Sequence, residues 1–227
     1  ASFSPNGRMV AFVSENNIYI KKLDYGSEVA VTEDGAANKI INGAPDWVYE
    51  DEFDTSNSLA WSPDDNVLCY IRYDESAVPM YSLPQYQGVC SAKDQYALYP
   101  GSMSYKYPVA GQPNSRVSIH SYQVDERKTK DLPLPDANIE YIPRIRFAPT
   151  GSLMAVALDR NQSKMTLYAI NPLSTVARSI YTEESQAWIA PETYQSIAYE
   201  ADGMVIMSAR NGDRMQLYKY SYAGALM

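Results

Sequence analysis

The sequence is poor in the residues that most catalytic and metal sites use. It has one histidine, His120, and two cysteines, Cys69 and Cys90, in 227 residues. No Cys/His pair has metal-site spacing, and neither a glycine-rich phosphate loop nor a G-x-S-x-G nucleophile elbow occurs. His120 lies in the alternating strand pattern "RVSIHSYQV", which favours a structural role. We therefore expect no metal ion, no cofactor and no catalytic residue in this chain.

The two cysteines are too few for a disulfide framework. Cys69 lies in an apolar strand pattern, which predicts a place in the core, whereas Cys90 lies in a loop-like stretch. A bridge between them stays open on the sequence alone.

Basic residues and long apolar runs are also scarce. The chain has 19 Lys and Arg against 27 Asp and Glu, for a net charge of −8, and no basic block. Nucleic acids and anionic membranes both require Lys/Arg patches, so neither is an expected partner. No apolar run approaches the roughly 18 residues of a membrane span, and no signal peptide heads the chain. Because it starts within a strand–turn unit, without Met, we expect it to be a piece of a longer protein.

What the chain does have is a repeat. An aromatic residue, a short Pro- or Gly-containing turn and an apolar run recur in "FSPNGRMVAFVS", "WSPDDNVLCYIR", "FAPTGSLMAVAL" and, more weakly, "YEADGMVIMSAR", starting near positions 3, 61, 147 and 199. Each predicts a strand, a tight turn and a second strand. A period of roughly 50 residues with several strands per unit is typical of β-propeller blades. We predict an all-β fold of about four blades, within a single partial propeller domain over 1–227.

One short helix is predicted, in "APDWVYEDEF", with Asp46 as N-cap. It carries three adjacent acids, Glu50, Asp51 and Glu52, interleaved with Trp47, Tyr49 and Phe53. Two interpretations compete: a solvated acidic surface, or carboxylates held in place to accept N–H donors from an ammonium group. Composition alone favours the first. The aromatic residues favour the second, because they must pack while the acids stay fixed.

The interval between the second and third repeats is the longest and contains an insertion over about 73–114. Within residues 80–110 this inserted arm has few charges and is rich in Met and Tyr, with tyrosines at 81, 86, 96, 99, 105 and 107. It is either a loop folded over its own blade or an arm that presents Tyr and Met to a partner. The residues themselves leave these alternatives even.

The acidic motif and the repeats together resemble a known family. The segments are "NGAPDWVYEDEF", "LAWSPDDNVLCYIRYDESAVPMY", "YPGSMSYKYPVAGQPNSRVSIHSY" and "YIPRIRFAPTGSLMAVALDRNQSKMTLYAINP". They closely resemble the propeller domain of dipeptidyl-peptidase IV-type serine exopeptidases, above all the bacterial members, over essentially the whole chain. The resemblance implies a parent protein with an eight-bladed propeller followed by an α/β-hydrolase domain. The hydrolase domain, which is absent from this chain, carries a Ser–Asp–His triad. Such a parent removes Xaa-Pro or Xaa-Ala dipeptides from the N-termini of peptides.

The resemblance also implies roles for the acids. In the family, two adjacent acids on a short propeller helix bind the free α-amine of the peptide substrate. The pair falls on Asp51 and Glu52, with Glu50 as the flanking acid and Asp46, Trp47, Tyr49 and Phe53 as the frame. The first position is Asp where Glu is usual, one methylene shorter. The family's arginine at the amine lies upstream of this chain, and a mammalian aromatic contact near Glu192 is not carried over.

Further expectations follow from the family alone. The inserted arm falls where the family extends an arm used in homodimerisation, and the parent is expected in the periplasm, at the cell surface or secreted. An alternative is a non-catalytic propeller that serves as a protein-interaction module. A third is a propeller peptidase that cleaves internally or removes acylated residues, against which the adjacent acids weigh.

Overall fold

The chain folds into antiparallel sheets that follow one another along the sequence. The computed structural model describes residues 1–86, 99–210, 212 and 214–227; Cys90 and Tyr96 lie outside the described residues. The first sheet has the order β1-β2-β3-β4. Its strands are β1 (Ser2–Phe3), β2 (Met9–Ser14), β3 (Asn17–Lys22) and β4 (Ser27–Ala30).

The second sheet contains the acidic helix and the inserted arm between its strands. Its order is β11-β10-β7-β5, and β6 also pairs with β7. The elements of this part are β5 (Ile40–Asn42), α1 (Trp47–Phe53), β6 (Leu59–Trp61), β7 (Val67–Asp74), β8 (Met80–Gln85), β9 (Gly101–Lys106), β10 (Arg116–Gln123) and β11 (Lys128–Asp131). Among the described residues, strands β8 and β9 pair only with each other, as the hairpin of the inserted arm.

The third and fourth sheets complete the described architecture. The third has the order β12-β13-β14-β15 and the fourth β16-β17-β18. Their elements are β12 (Tyr141–Phe147), β13 (Leu153–Leu158), β14 (Lys164–Ile170), β15 (Ala177–Glu184), α2 (Pro191–Gln195), β16 (Ala198–Tyr199), β17 (Gly203–Ser208) and β18 (Gln216–Ser221). The all-β fold of propeller blades is therefore confirmed. Helix α2 is an additional short helix that the sequence did not indicate.

The repeated motif has one backbone geometry in its first three copies. The aromatic residue ends a strand, and the same turn hydrogen bond follows, from Gly7 N to Ser4 O over 2.9 Å, from Asp65 N to Ser62 O over 3.0 Å and from Gly151 N to Ala148 O over 2.9 Å. A left-handed residue lies in each turn: Gly7, Asp65 and Gly151. Glycine and Asp tolerate this conformation, which explains why the motif selects them.

The strands that end in the aromatic residues of the motif lie next to one another. Strand β6 contacts both β1 and β12, the indole Nε1 of Trp61 donates to the carbonyl of Ser2 over 3.1 Å, and the backbone N–H of Asn6 donates to Asp65 Oδ1 over 2.9 Å. Between these strands and α2 lies a cavity of about 730 Å³, here called the central cavity.

The core divides into two clusters of buried side chains. The smaller one lies between the first and second sheets and includes Ile18, Trp61 and Leu68. The larger one joins the second, third and fourth sheets, and α1 contributes Tyr49 and Phe53 to it. All six residues of β13 are buried, as expected for the middle of a sheet that is covered on both faces. Cys69 is fully buried, so its predicted place in the core is confirmed.

Candidate functional site

Helix α1 is short and is fixed at both ends. At the start, Asp46 has extended backbone angles and its Oδ1 accepts a hydrogen bond of 3.0 Å from the N–H of Tyr49, as predicted for the N-cap. At the end, Asp54 adopts a left-handed conformation with φ 48°, and the N–H of Thr55 donates to the carbonyl of Tyr49 over 3.0 Å. Seven residues are too few for a helix to persist alone, so these contacts and its packing hold it.

One face of α1 is anchored in the core. Tyr49 and Phe53 are four positions apart and share this face, where they are 1% and 0% exposed. Their rings pack together with a centroid distance of 5.2 Å, and both pack against Tyr141. The hydroxyl oxygen of Tyr49 accepts a hydrogen bond of 2.9 Å from the N–H of Ile142. Burial raises the pKa of Tyr49 well above its usual value, so its hydroxyl stays neutral.

The three acids lie on the solvent side of the anchored helix. Glu50, Asp51 and Glu52 are all exposed. Asp51 and Glu52 line a cavity of about 330 Å³, here called the acid cavity, whereas Glu50 lies outside its lining. The predicted pair therefore faces a common space, with the flanking acid beside it. Because the helix is fixed, the two carboxylates are presented without first ordering a loop.

The opposite wall of the acid cavity comes from residues that sequence reasoning missed. It includes Asn114, Tyr141 and Arg160. Arg160 donates to Glu140 Oε1 over 2.8 Å and to the carbonyl of Gln112 over 2.6 Å. Asn114 donates to the same Glu140 oxygen over 2.9 Å and to the Tyr141 hydroxyl over 2.8 Å. Since Glu140 engages Arg160, the charge of this guanidinium is partly neutralised beside the acids.

Arg144 of β12 holds the C-terminal end of the helix. Its guanidinium donates to the carbonyls of Phe53 over 2.6 Å and of Asp54 over 3.2 Å, and to the hydroxyl of Thr55. Carbonyls at a helix C-terminus lack partners within the helix, and a cation interacts favourably with the negative end of the helix dipole. Burial lowers the pKa of Arg144, which nevertheless stays charged. In the sequence, only an arginine in the apolar strand "YIPRIRF" hinted at this role.

Asp46 joins the helix start to the strand that follows the inserted arm. It is 6% exposed, and its Oδ2 accepts a hydrogen bond of 2.5 Å from Ser115 Oγ. Burial raises the pKa of its carboxyl group, although the hydrogen bonds from Ser115 and the helix N–H groups oppose the shift. Asp46 therefore acts on the position of the helix, as expected of a frame residue.

Trp47 joins the helix to the inserted arm. Its indole stacks on Tyr105 with a centroid distance of 6.2 Å and meets Tyr107 edge-on at 4.3 Å. Tyr81 of the facing strand contacts both tyrosines. Trp47 remains 40% exposed, so this frame residue packs on the surface and not in the core. The arm and the acid-bearing helix thus share one aromatic cluster.

The comparisons with known proteins agree on one family. Residues 1–226 match the model of the dipeptidyl peptidase IV (DPP IV) N-terminal region. The chain belongs to the dipeptidyl peptidase IV N-terminal family. It is 32% identical over 206 residues to a probable dipeptidyl-aminopeptidase B of Aspergillus niger. The aligned region covers 86% of this chain and 23% of that protein. A probable dipeptidyl-aminopeptidase B of Ajellomyces capsulatus is also 32% identical, over 203 residues.

Solved structures give the same assignment. The dipeptidyl peptidase 4 of Porphyromonas gingivalis matches with a TM-score of 0.91 and 42% identity, covering 100% of this chain and 31% of that one. A putative dipeptidyl aminopeptidase IV from Bacteroides ovatus, 24% identical with a TM-score of 0.79, supports the fold. This dipeptidyl peptidase IV N-terminal region therefore spans less than a third of the relatives it matches.

Other features of this dipeptidyl peptidase IV N-terminal region fit a structural role. His120 is held by Asp131 at 2.9 Å and by Ser118 at 2.8 Å, and its ring stacks on Tyr70.

Within the described residues, no group of three or more His, Cys, Asp and Glu side chains could hold a metal ion. No helix in this part of the chain is long and apolar enough to cross a membrane.

Proposed function

We propose that this chain recognises the free N-terminal amine of peptide substrates for a dipeptidyl peptidase, with Asp51 and Glu52 as the amine-binding pair. The observation that carries the proposal is the acid cavity, which both carboxylates line from a helix anchored by Tyr49 and Phe53. An ammonium group has three donors, so it can engage two carboxylates at once.

Electrostatics support the same assignment. Adjacent carboxylates repel each other, and an ammonium group bound between them removes that repulsion. Each charge-assisted hydrogen bond contributes about 1.5–3 kcal/mol in a protected site. The pair is exposed in this chain, so the gain depends on how far a bound peptide excludes water from the acid cavity.

An amine bound at this site would determine which peptide bond is cleaved. With the amine held at Asp51 and Glu52, the second peptide bond lies at a fixed distance from the site. We propose that an α/β-hydrolase domain of the same parent chain cleaves that bond by a serine mechanism, with preference for Xaa-Pro and Xaa-Ala. Membership of the family and the peptidase names of the relatives support this proposal. The resemblance to bacterial members supports a periplasmic, cell-surface or secreted parent.

The decisive experiment compares a Gly-Pro chromogenic substrate with its N-acetylated form, using the full-length parent protein. Acetylation removes the charge and donors of the amine, so kcat/KM should fall by at least about 100-fold, which corresponds to two lost charge-assisted bonds. Equal rates for both substrates would overturn the amine assignment.

Single substitutions test which of the acids bind the amine. Glu52→Gln and Asp51→Asn should each lower kcat/KM for the free-amine substrate by about 10- to 100-fold, because each removes one charged acceptor. Glu50→Gln is the matched control: it lies on the same helix, outside the cavity lining, and should change kcat/KM less than about threefold. A loss in Glu50→Gln as large as in Glu52→Gln would contradict the assignment of the pair.

We also propose that the inserted arm mediates homodimerisation of the parent. The hairpin β8–β9 exposes large apolar side chains, with Met80 50%, Tyr81 40%, Leu83 38% and Met103 47% exposed. Apolar and aromatic side chains of this kind are enriched at protein interfaces. Replacing Leu83 and Met103 with Glu should convert a dimer into a monomer in light scattering, and a mass that stays unchanged would exclude the arm.

A further inference from the structure

The central cavity lies outside the amine site. Its volume is about 730 Å³, and it is bordered by the first strands β6 and β12 and by helix α2. It begins where α1 ends: Asp54 and Thr55 line it, whereas Asp51 and Glu52 line the acid cavity. The end of α1 therefore separates two cavities of different chemistry.

The basic residues of the central cavity come from one strand. Arg144 and Arg146 are two positions apart on β12, so they share a face of the sheet. Arg144 donates its hydrogen bonds to the end of α1, whereas Arg146 is exposed. Within the described part of the chain, no carboxylate oxygen lies within 4.0 Å of the Arg146 guanidinium. The positive charge of Arg146 adds to burial in lowering the pKa of Arg144. An anion in the cavity would relieve this repulsion.

A buried hydroxyl in the same lining has no partner. Tyr194 of α2 is 2% exposed, and its hydroxyl makes no hydrogen bond within the described residues. Burial raises the pKa of Tyr194 to about 12, so the hydroxyl carries its proton at neutral pH and can donate. Leaving such a group unpaired is costly, and buried polar groups without partners therefore call for a ligand or water.

Asp54 is the acidic residue of the cavity lining. It opposes anion binding, but it ends α1 beside Arg144, whose charge acts on it directly. The remaining positive charge is that of Arg146. Within the described residues, the lining thus offers one guanidinium without a carboxylate partner and one hydroxyl without a hydrogen-bond partner. A carboxylate accepts hydrogen bonds from both kinds of group.

We propose that the central cavity binds a carboxylate of the peptide substrate, with Arg146 and the Tyr194 hydroxyl as donors. The carboxylate belongs to an acidic side chain downstream of the cleaved dipeptide. This inference rests on the proposed function, in which the chain binds a peptide substrate of the parent peptidase. The cation-binding and anion-binding cavities on either side of the end of α1 then orient a peptide whose charges are opposite at the two places.

The test uses the full-length parent protein and pentapeptides that start with Gly-Pro. The peptides carry Glu or Gln at position three, four or five and are otherwise identical. At one of these positions, we expect kcat/KM for the Glu peptide to exceed that for the Gln peptide by about 10-fold, as one charge-assisted contact provides. The ratio should fall as ionic strength rises. A ratio near one at all three positions would overturn the proposal.

Two variants assign the donors. Arg146→Gln should bring the Glu/Gln ratio close to one, and Tyr194→Phe should lower it to about threefold. Arg127→Gln is the matched control, because Arg127 lies in the turn between β10 and β11 and outside the lining, so the ratio should stay near 10-fold. A ratio that survives Arg146→Gln would contradict the assignment of this donor.

The outcome is separable from that of the amine proposal. Suppose that acetylation leaves kcat/KM unchanged, while the Glu/Gln ratio of kcat/KM persists and depends on Arg146. The amine assignment then fails, and the carboxylate site stands as a site for a peptide bound in another position. If acetylation abolishes cleavage but the ratio is near one, only the carboxylate site fails.

Discussion

The guanidinium of Arg144 donates to the carbonyl oxygen of Phe53 over 2.6 Å, across 91 positions of sequence. The same guanidinium also reaches Asp54 and Thr55, so a residue of the third sheet closes the helix that carries the acids. The position of Asp51 and Glu52 thus depends on contacts between two sheets and not on the helix alone.

Arg144→Gln should destabilise the full-length protein. The substitution leaves carbonyls at the end of α1 without their donors, which costs about 1–3 kcal/mol, and thermal unfolding measures the loss as a lower Tm. Arg146→Gln is the matched control on the same strand: it is exposed and should stay within about 0.5 kcal/mol of the wild type. Equal Tm values for Arg144→Gln and the wild type would show that these contacts do not hold the helix.

Tyr49→Phe tests the anchor of α1 in the core. The change removes the hydroxyl that accepts the N–H of Ile142 and leaves this buried donor unpaired, so we expect a loss of about 1–3 kcal/mol in stability. Tyr25→Phe provides the reference, since Tyr25 is 85% exposed and its loss of a hydroxyl should have no measurable effect. Urea unfolding of both variants compares them, and a Tyr49→Phe midpoint equal to that of Tyr25→Phe would exclude the anchor.

Asp46 should give the stability a pH dependence of known sign. Because burial raises its pKa in the folded state, the folded protein binds the proton more tightly than the unfolded chain does. The resulting stabilisation is complete below the unfolded pKa and is lost as the pH rises through the raised folded pKa. Asp46→Asn keeps an acceptor for the N–H of Tyr49 but does not titrate.

The measurement is the Tm difference between wild type and Asp46→Asn as a function of pH. When the pH is lowered from 7 to 4, we expect the Tm of the wild type to rise relative to that of the variant, because only the wild type takes up this proton. A difference that stays constant, or that changes in favour of the variant, would contradict the raised pKa.

Trp47→Ala should loosen the inserted arm without unfolding the sheets. The indole is partly exposed and bridges α1 to Tyr105 and Tyr107, and each aromatic pair contributes about 0.5–1.5 kcal/mol beyond the buried area. Hydrogen exchange should therefore accelerate in β8 and β9 while β13 keeps its protection. In Trp188→Ala, which removes a more exposed indole elsewhere, β8 and β9 should exchange as in the wild type.

Local patterns predicted the blades well. The aromatic residues at 3, 61, 147 and 199 each end a strand, and the turns that follow the first three use Gly7, Asp65 and Gly151, residues that tolerate a left-handed backbone. Helix α1 and its N-cap were predicted for the same reason, since a cap acts over three positions. Helix α2 was missed: five residues give too short a periodic pattern, and its N-cap position, Ala190, makes no side-chain hydrogen bond.

The candidate site was predicted in part. The acids and their aromatic frame are adjacent in sequence, and the periodicity of a helix separates the buried pair, Tyr49 and Phe53, from the exposed acids. The opposite wall was not predicted, since Asn114 lies in the loop before β10 and Arg160 in the turn after β13, and these segments share no motif. The exposure of Trp47 also depends on the inserted arm, which the sequence left open.

The sequence by itself determined the strand repeats, the turn chemistry, the capped acidic helix and the family. These features rest on steric preferences and on side chains two to four positions apart. Only the tertiary structure decided that Arg144 closes the helix, that Ser115 holds Asp46, and that the end of α1 separates an acidic from a basic cavity. The reason is physical: such contacts join groups 69 to 91 positions apart, and they exist only once the packing of the sheets has brought those groups together.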